Sequence, residues 1–241
     1  MSSGYTVHFT EVIPPLDVAW ESPLWQQVEE ALIQHFHPAS SAHRPVSRVR
    51  VLYDHRSLYV QFHVDDRHVR STRTHYQESV CQDSCVEFFV QPDPGGGYFN
   101  FEVNCGGTLL LYFIEDPTRT ANGFARFTPV AAEHGRRVRI AHSMPAVVFP
   151  EEPGPICWQV GCQIPVDLFE AYVGPLGTLS GQTWRANFYK CADGSSQPHW
   201  ASWSPIGEEL NFHQPSSFAP LRFAEAASSP RCGTHIEPNW K

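Results

Sequence analysis

Two strand-like stretches concentrate the groups that could do chemistry. CQDSCVEFFV spans 81–90 and YFNFEVNCGG spans 98–107. Together they hold three cysteines, Asp83, Glu87, Asn100, Glu102 and Asn104. Such groups can ligate a metal, work as paired acids, or hydrogen-bond a polyhydroxylated ligand, because carboxylates and amides meet hydroxyls in planar, bidentate arrangements. Which chemistry is open depends on which side chains share a face.

A period of two assigns the faces. Val86, Phe88 and Val90 alternate with Cys85, Glu87 and Phe89, and Phe99, Phe101 and Val103 alternate with Asn100, Glu102 and Asn104. If both apolar sets enter one core, the hairpin pairs positions of opposite parity, with Phe89 facing Asn100 and Glu87 facing Glu102. Two carboxylates so opposed lie roughly 5 Å apart at Cβ and repel. A compensating partner is expected: solvent, a cation, an arginine, a shared proton or a ligand. WRANFYK at 184–190 supplies a third row, with Trp184, Ala186 and Phe188 inward and Arg185, Asn187 and Tyr189 on the other face. Arg185 is the candidate to balance the acids. Trp200, Trp203, Phe212 and His213 lie in a Pro- and Ser-rich segment at 198–223, where core packing explains aromatics less readily. The bland alternatives are a solvent-facing sheet and, for Trp203, a plug at a sheet edge.

The elements that must position these groups are strands. Candidates fall at 5–12, 47–54, 57–66, 85–91, 98–104, 107–114, 124–130, 137–142, 156–164, 184–190 and 219–224, on alternation and turn chemistry. SPLWQQVEEALIQHF at 22–36 opens with Ser22 and Pro23 and predicts a short helix carrying Trp25, Val28, Leu32 and Phe36. IPVDLFEAYVG at 164–174 predicts one helical turn. With no internal repeat and no long linker, 1–241 reads as one all-β domain, a two-sheet antiparallel β-sandwich with one or two short helices. Its core spans about 18–223, with a tail at 224–241.

Composition narrows the function classes. A net charge of −8 gives no broad basic footprint for nucleic acid, and the basic run HGRRVR at 134–139 reads as a hairpin tip and solvated strand. No segment approaches the roughly 20 apolar residues of a membrane span. The opening MSSGYTVHFTEVIPP lacks the charged-then-apolar layout of a secretory signal, so a cytoplasmic location is expected, or an extracytoplasmic one if a leader has been removed. The seven cysteines form no CxxC pair, which argues for reduced, buried thiols over a zinc ribbon.

Several blocks taken together resemble the family 9 carbohydrate-binding modules, nearest their stand-alone, bacterial-type family 9-like branch. These are VRVLYDHRSLYVQFHVDD, DSCVEFFVQP, GYFNFEVNCGGTLL, WRANFYKCADGSSQPHWASWSPI and NFHQPSSFAPLRF, covering about 18–223. The resemblance implies a non-catalytic β-sandwich that binds mono- or oligosaccharides. It implies that Glu87 hydrogen-bonds sugar hydroxyls and that Phe212 stands where a ring-stacking tryptophan lies. Two positions depart from the family: Cys81 replaces a second stacking tryptophan, and Glu102 replaces an arginine. The expected ligand-binding set is Glu87, Phe212, Glu102, Asn104, Asn100, Arg185, Asn187, Tyr189 and Trp203. No cofactor is expected, although Asp65-Asp66 and Glu115-Asp116 offer acidic strand ends for calcium, which family 9 modules can bind. The rival readings are a hydrolase using Glu87 and Glu102 as an acid pair, and a haem-binding redox sandwich, for which Met144 is the one methionine besides Met1.

Overall fold

The computed structural model describes residues 4–17, 20–93, 95–121 and 123–226. Cys232 and the rest of the tail lie outside the described residues. The first elements are β1 (Tyr5–Phe9), α1 (Pro23–Gln26), β2 (Ala31–Ile33), β3 (His35–Phe36), β4 (Val46–Tyr53) and β5 (Ser57–Ser71). The middle of the chain forms β6 (Cys85–Gln91), β7 (Tyr98–Asn104), β8 (Leu109–Thr120), β9 (Gly123–Pro129), α2 (Ala132–Gly135) and β10 (Arg139–His142). The last part forms β11 (Val148–Pro165), α3 (Val166–Val173), β12 (Thr183–Cys191), β13 (Trp200–Ser202) and β14 (Ala219–Phe223).

One sheet runs β10-β11-β5-β4, with β2 beside β4. The other runs β14-β12-β6-β7-β8-β9, with β13 and β3 extending from β12. These pairings are antiparallel, and β1 is the exception. Its residues Tyr5–Val7 pair in parallel with Leu221–Phe223, and His8 and Phe9 pair in parallel with Leu52 and Tyr53. One strand therefore crosses from sheet to sheet, making the sandwich mixed rather than purely antiparallel.

The two inner faces form one core. Val86, Phe88, Val90, Phe99, Phe101 and Val103 are buried against Val60, Phe62, Val64, Trp158 and Val160 of the opposite sheet, and Trp184, Ala186 and Phe188 complete the layer. Phe88 stacks on Phe188 at 5.2 Å between ring centroids. The pairing of β6 with β7 sets Glu87 opposite Glu102 and Phe89 opposite Asn100, as parity requires.

The segment at 22–36 departs from its expected helix. Only Pro23–Gln26 is helical, and Ala31–Ile33 pairs with Ser47–Val49. Ala31 and Ile33 are buried while Leu32 is exposed, so a local period of two replaces the helical period after Val28. The free edge of β4 supplies partners that an isolated four-turn helix lacks. The basic run at 134–139 begins in α2 rather than at a hairpin tip, and Arg137 pairs with Asp167 at 2.6 Å. The expected turn at 164–174 is longer, the eight-residue α3. No helix among the described residues is long and apolar enough to cross a membrane.

Candidate functional site

The outer face of the β6–β7–β12 sheet carries most of the polar set. It is not a plain solvated surface. Glu87, Asn100, Glu102, Asn104, Asn187 and Tyr189 are all buried. The covering material is the 192–218 segment on one side and the long β8–β9 hairpin on the other.

Residues of β12 hold the first cover in place. Asn187 donates through Nδ2 to the Ser204 carbonyl at 2.8 Å and accepts through Oδ1 from the Ser204 amide at 2.9 Å. The Tyr189 hydroxyl donates to the Phe212 carbonyl at 3.0 Å, and the two rings stack at 4.1 Å with planes 13° apart. Arg185 donates to the Phe218 carbonyl and sits opposite Gln91, away from the acids. The balancing role expected of Arg185 is therefore not what the fold provides. Arg185, Asn187 and Tyr189 fasten the loop that carries Phe212. Burial of a satisfied amide such as Asn187 is strongly position-specifying, since moving Ser204 would strand several polar atoms.

Between the two covers lies a cleft of about 620 Å³. Its floor is Glu87, Asn100, Glu102 and Cys191. Ser79 and Cys81 line one side, Tyr112, Arg119, Phe124 and Phe127 come from the hairpin, and Asp193, Trp200 and residues 209–213 close the rest. Phe212 and Trp200 are half-buried. Trp200 is oriented by its indole N–H, which donates to Asp193 Oδ1 at 2.7 Å. The Arg119 guanidinium lies over the Phe124 ring at 4.2 Å.

The floor is short of positive charge. Among the described residues, no ion pair joins Glu87, Glu102 or Asp193 to a basic side chain. Asn100 donates to Glu102 Oε1 at 2.8 Å, and its own Oδ1 is fixed by the Tyr112 amide at 2.6 Å. Cys191 Sγ donates to Glu87 Oε1 at 3.0 Å, while Glu87 Oε2 is buried without a hydrogen-bond partner. Burial, and then the facing Glu102, push the Glu87 carboxyl well above its ordinary range. Burial pushes Glu102 up to about 7, against the hydrogen bond from Asn100. Both carboxyls thus hold their protons to higher pH than an exposed glutamate, and a protonated carboxyl can donate as well as accept. Burial, with Arg119 nearby, holds His213 neutral by lowering it to about 3, and its Nδ1 is hydrogen-bonded to the Tyr98 hydroxyl at 2.8 Å beneath the cleft.

The fold thus gathers Glu87, Asn100, Glu102 and Phe212 in one cleft, with Tyr189 behind Phe212. Asn104 lies elsewhere: its amide donates to the Arg73 carbonyl and to Asp83 Oδ2, both at 2.9 Å, and its oxygen closes the turn to Thr108. Trp203 lies outside as well, packed edge-on against Tyr5 and tilted against Phe188 at 5.4 Å. Sequence reasoning passed over Tyr112, Arg119, Phe124, Phe127 and Asp193. For the first four the available signal was the Asn122-Gly123 dipeptide, whose residue types favour a hairpin turn; β8 runs past its strand candidate to Thr120. As for calcium, the oxygens of Asp66 take His43, Trp158 and backbone amides as partners, with Lys190 at 3.6 Å, and Asp65 pairs with Arg48. Glu115 pairs with Arg126, and Asp116 accepts from the Thr118 amide.

Residues 23–223 match the family model described as carbohydrate-binding family 9. The chain belongs to this family. Its function is accordingly non-catalytic carbohydrate binding, and it is not an enzyme. Among solved structures, a candidate carbohydrate-binding protein from Bacteroides uniformis ATCC 8492 is 30% identical, with a TM-score of 0.78, covering 92% of this chain and 100% of the other. Two structures of a family 9 module from Caldicellulosiruptor kristjanssonii share the fold. The cellotriose complex is 16% identical with a TM-score of 0.58, covering 97% of this chain and 99% of that one. The glucose complex is 14% identical with a TM-score of 0.57, covering 94% and 99%. No curated protein matches the sequence.

Proposed function

We propose that this module holds a neutral mono- or oligosaccharide in the cleft between the β8–β9 hairpin and the 192–218 segment. Glu87 Oε2 hydrogen-bonds ring hydroxyls, and Glu102, positioned by Asn100, contributes a second carboxyl. Phe212, backed by Tyr189, and Trp200, oriented by Asp193, cover the apolar faces of the sugar. The observation that carries this reading is the unpartnered Glu87 Oε2, buried at the floor of an aromatic-walled cleft. Leaving such an oxygen unpaired costs roughly 1–3 kcal/mol, which a hydroxyl ligand returns as binding.

Titration calorimetry with glucose, cellotriose and a wider set of saccharides tests it. Glu87→Gln and Phe212→Ala should each weaken binding by about tenfold or more, equivalent to 1.4 kcal/mol per decade. Wild-type affinity retained by both variants, with folding intact, would place the sugar elsewhere.

A further inference from the structure

We propose that Cys85, Cys191 and Glu87 form a site for one divalent cation of the zinc class, set into the floor of the cleft. The inference does not rest on the sugar reading, although both use Glu87. Cys85 and Glu87 are two residues apart on β6 and so share a face, while Cys191 lies directly across from Cys85 on β12. The two cysteines are 106 positions apart in sequence, which is why no metal-binding spacing shows there. Their sulfurs and a Glu87 oxygen all lie within 4.8 Å of one another, and all three residues are buried. A tetrahedral ion with sulfur at about 2.3 Å and carboxylate oxygen at about 2.0–2.2 Å needs donors spaced on this scale.

Donor chemistry selects the ion. Two thiolates favour a borderline or soft metal, and calcium or magnesium would require oxygen donors instead. Cys191 and Glu87 line the cleft, so the ion has an entry path and a fourth position on the cleft side. Glu87 can ligate through Oε1, the oxygen already beside Cys191, leaving Oε2 toward the cleft. Without the ion, burial pushes the Cys85 thiol up to about 12, and the Cys85 thiol and burial push Cys191 up as well. Binding breaks both S–H bonds. Each sulfur keeps its electron pair and donates it to the ion, and both protons pass to solvent, with a further one if Glu87 carries it. A second cluster, His63, Asp65 and Cys157, is a poorer host: it is largely exposed, and the Arg48 guanidinium already contacts Asp65 at 2.9 Å.

Cadmium titration of the chelator-stripped, reduced full chain tests the proposal, read by thiolate-to-cadmium absorbance and by proton release into a weak buffer. Expected are one equivalent bound and at least two protons released, both unchanged in Cys157→Ser. Cadmium-113 NMR should also give one bound resonance coupled to the β-protons of Cys85 and Cys191. Cys85→Ala and Cys191→Ala should each weaken binding by about 100-fold. Absence of the absorbance in the folded wild type would overturn the site. So would a cadmium resonance coupled instead to Cys157. The coupling pattern decides the matter in the wild type even if an alanine variant does not fold.

Discussion

Two buried acidic centres sit a few residues apart along β12 and are built on opposite principles. Lys190 points inward, fully buried, with Nζ 3.6 Å from Asp66 Oδ2, 2.8 Å from His199 Nε2 and 3.0 Å from the Cys191 carbonyl. Asp66 also takes His43 at 2.7 Å, the Arg67 and His68 amides, and the Trp158 indole. Burial would raise its pKa, but the Lys190 charge and the His43 hydrogen bond outweigh burial and hold it well below the carboxylate range. One position before Lys190, Tyr189 faces the other way and lies opposite Glu87. There the carboxyls meet each other rather than a cation. The closed network ties the two sheets together. The open one leaves donors and an acceptor to be completed by something outside the chain. A buried titratable group with all its partners reads as architecture, and one without them marks a site.

The contrast can be broken by mutation, beginning with the largest effect. Lys190→Met leaves Asp66 as an uncompensated buried charge and should cost about 3–5 kcal/mol in urea denaturation at pH 7. A loss under about 1 kcal/mol would show that the network is not closed by Lys190. The opposite behaviour is expected from the cleft. Glu102 binds its proton more tightly folded than unfolded, with about 7 against the ordinary 4.5. The folded state therefore carries more bound protons between those values, and the stability contributed by Glu102 falls as pH rises from about 4.5 to 7. It is full below that window and fully lost above it. Glu102→Gln should flatten the pH dependence without abolishing it, since burial raises Glu87 as well, stabilising the protein by on the order of 1 kcal/mol at pH 8 and having little effect at pH 4.5. Denaturation midpoints of both proteins across that range check it, and parallel profiles would contradict it.

Smaller effects separate positioning from contact. Trp200→Ala should weaken saccharide binding by about tenfold through loss of a ring face. Asn187→Ala should weaken it only severalfold, and should also lower stability by about 1–3 kcal/mol because Ser204 loses both partners. Calorimetry and denaturation on the same preparations distinguish the two. A Trp200→Ala protein with unchanged affinity would remove that side of the cleft from the site.

Much of the floor was legible in sequence, because alternation is a local property. Val86, Phe88 and Val90 against Phe99, Phe101 and Val103 were enough to oppose Glu87 to Glu102. Register within a hairpin, however, does not say what covers the outer face. Arg185, Asn187 and Tyr189 share that face, yet their hydrogen bonds go to a loop 17 to 33 residues later in the chain. Asn104 looked like a continuation of the row, but it lies at the strand end and closes the turn with Asp83 and Thr108. Trp203 and Trp200 were equivalent as loop aromatics. The pairing of β13 with β12 places Trp200 against the cleft and leaves Trp203 beside Tyr5. The short strands at 31–36 exist because neighbouring edges accept them, a long-range condition that overrides a helix-start signal.

The direct test is a backbone amide NMR titration of the isotopically labelled protein with cellotriose and, if it is silent, with whichever saccharide calorimetry identifies. Saturable shifts should concentrate at Glu87, Asn100, Glu102, Asp193, Trp200 and Phe212, and Glu87→Gln should raise the ligand concentration needed by about tenfold. Shifts confined instead to the groove beside Glu29, His35 and Trp203, unmoved by Glu87→Gln, would contradict a sugar site on the β6–β7 floor.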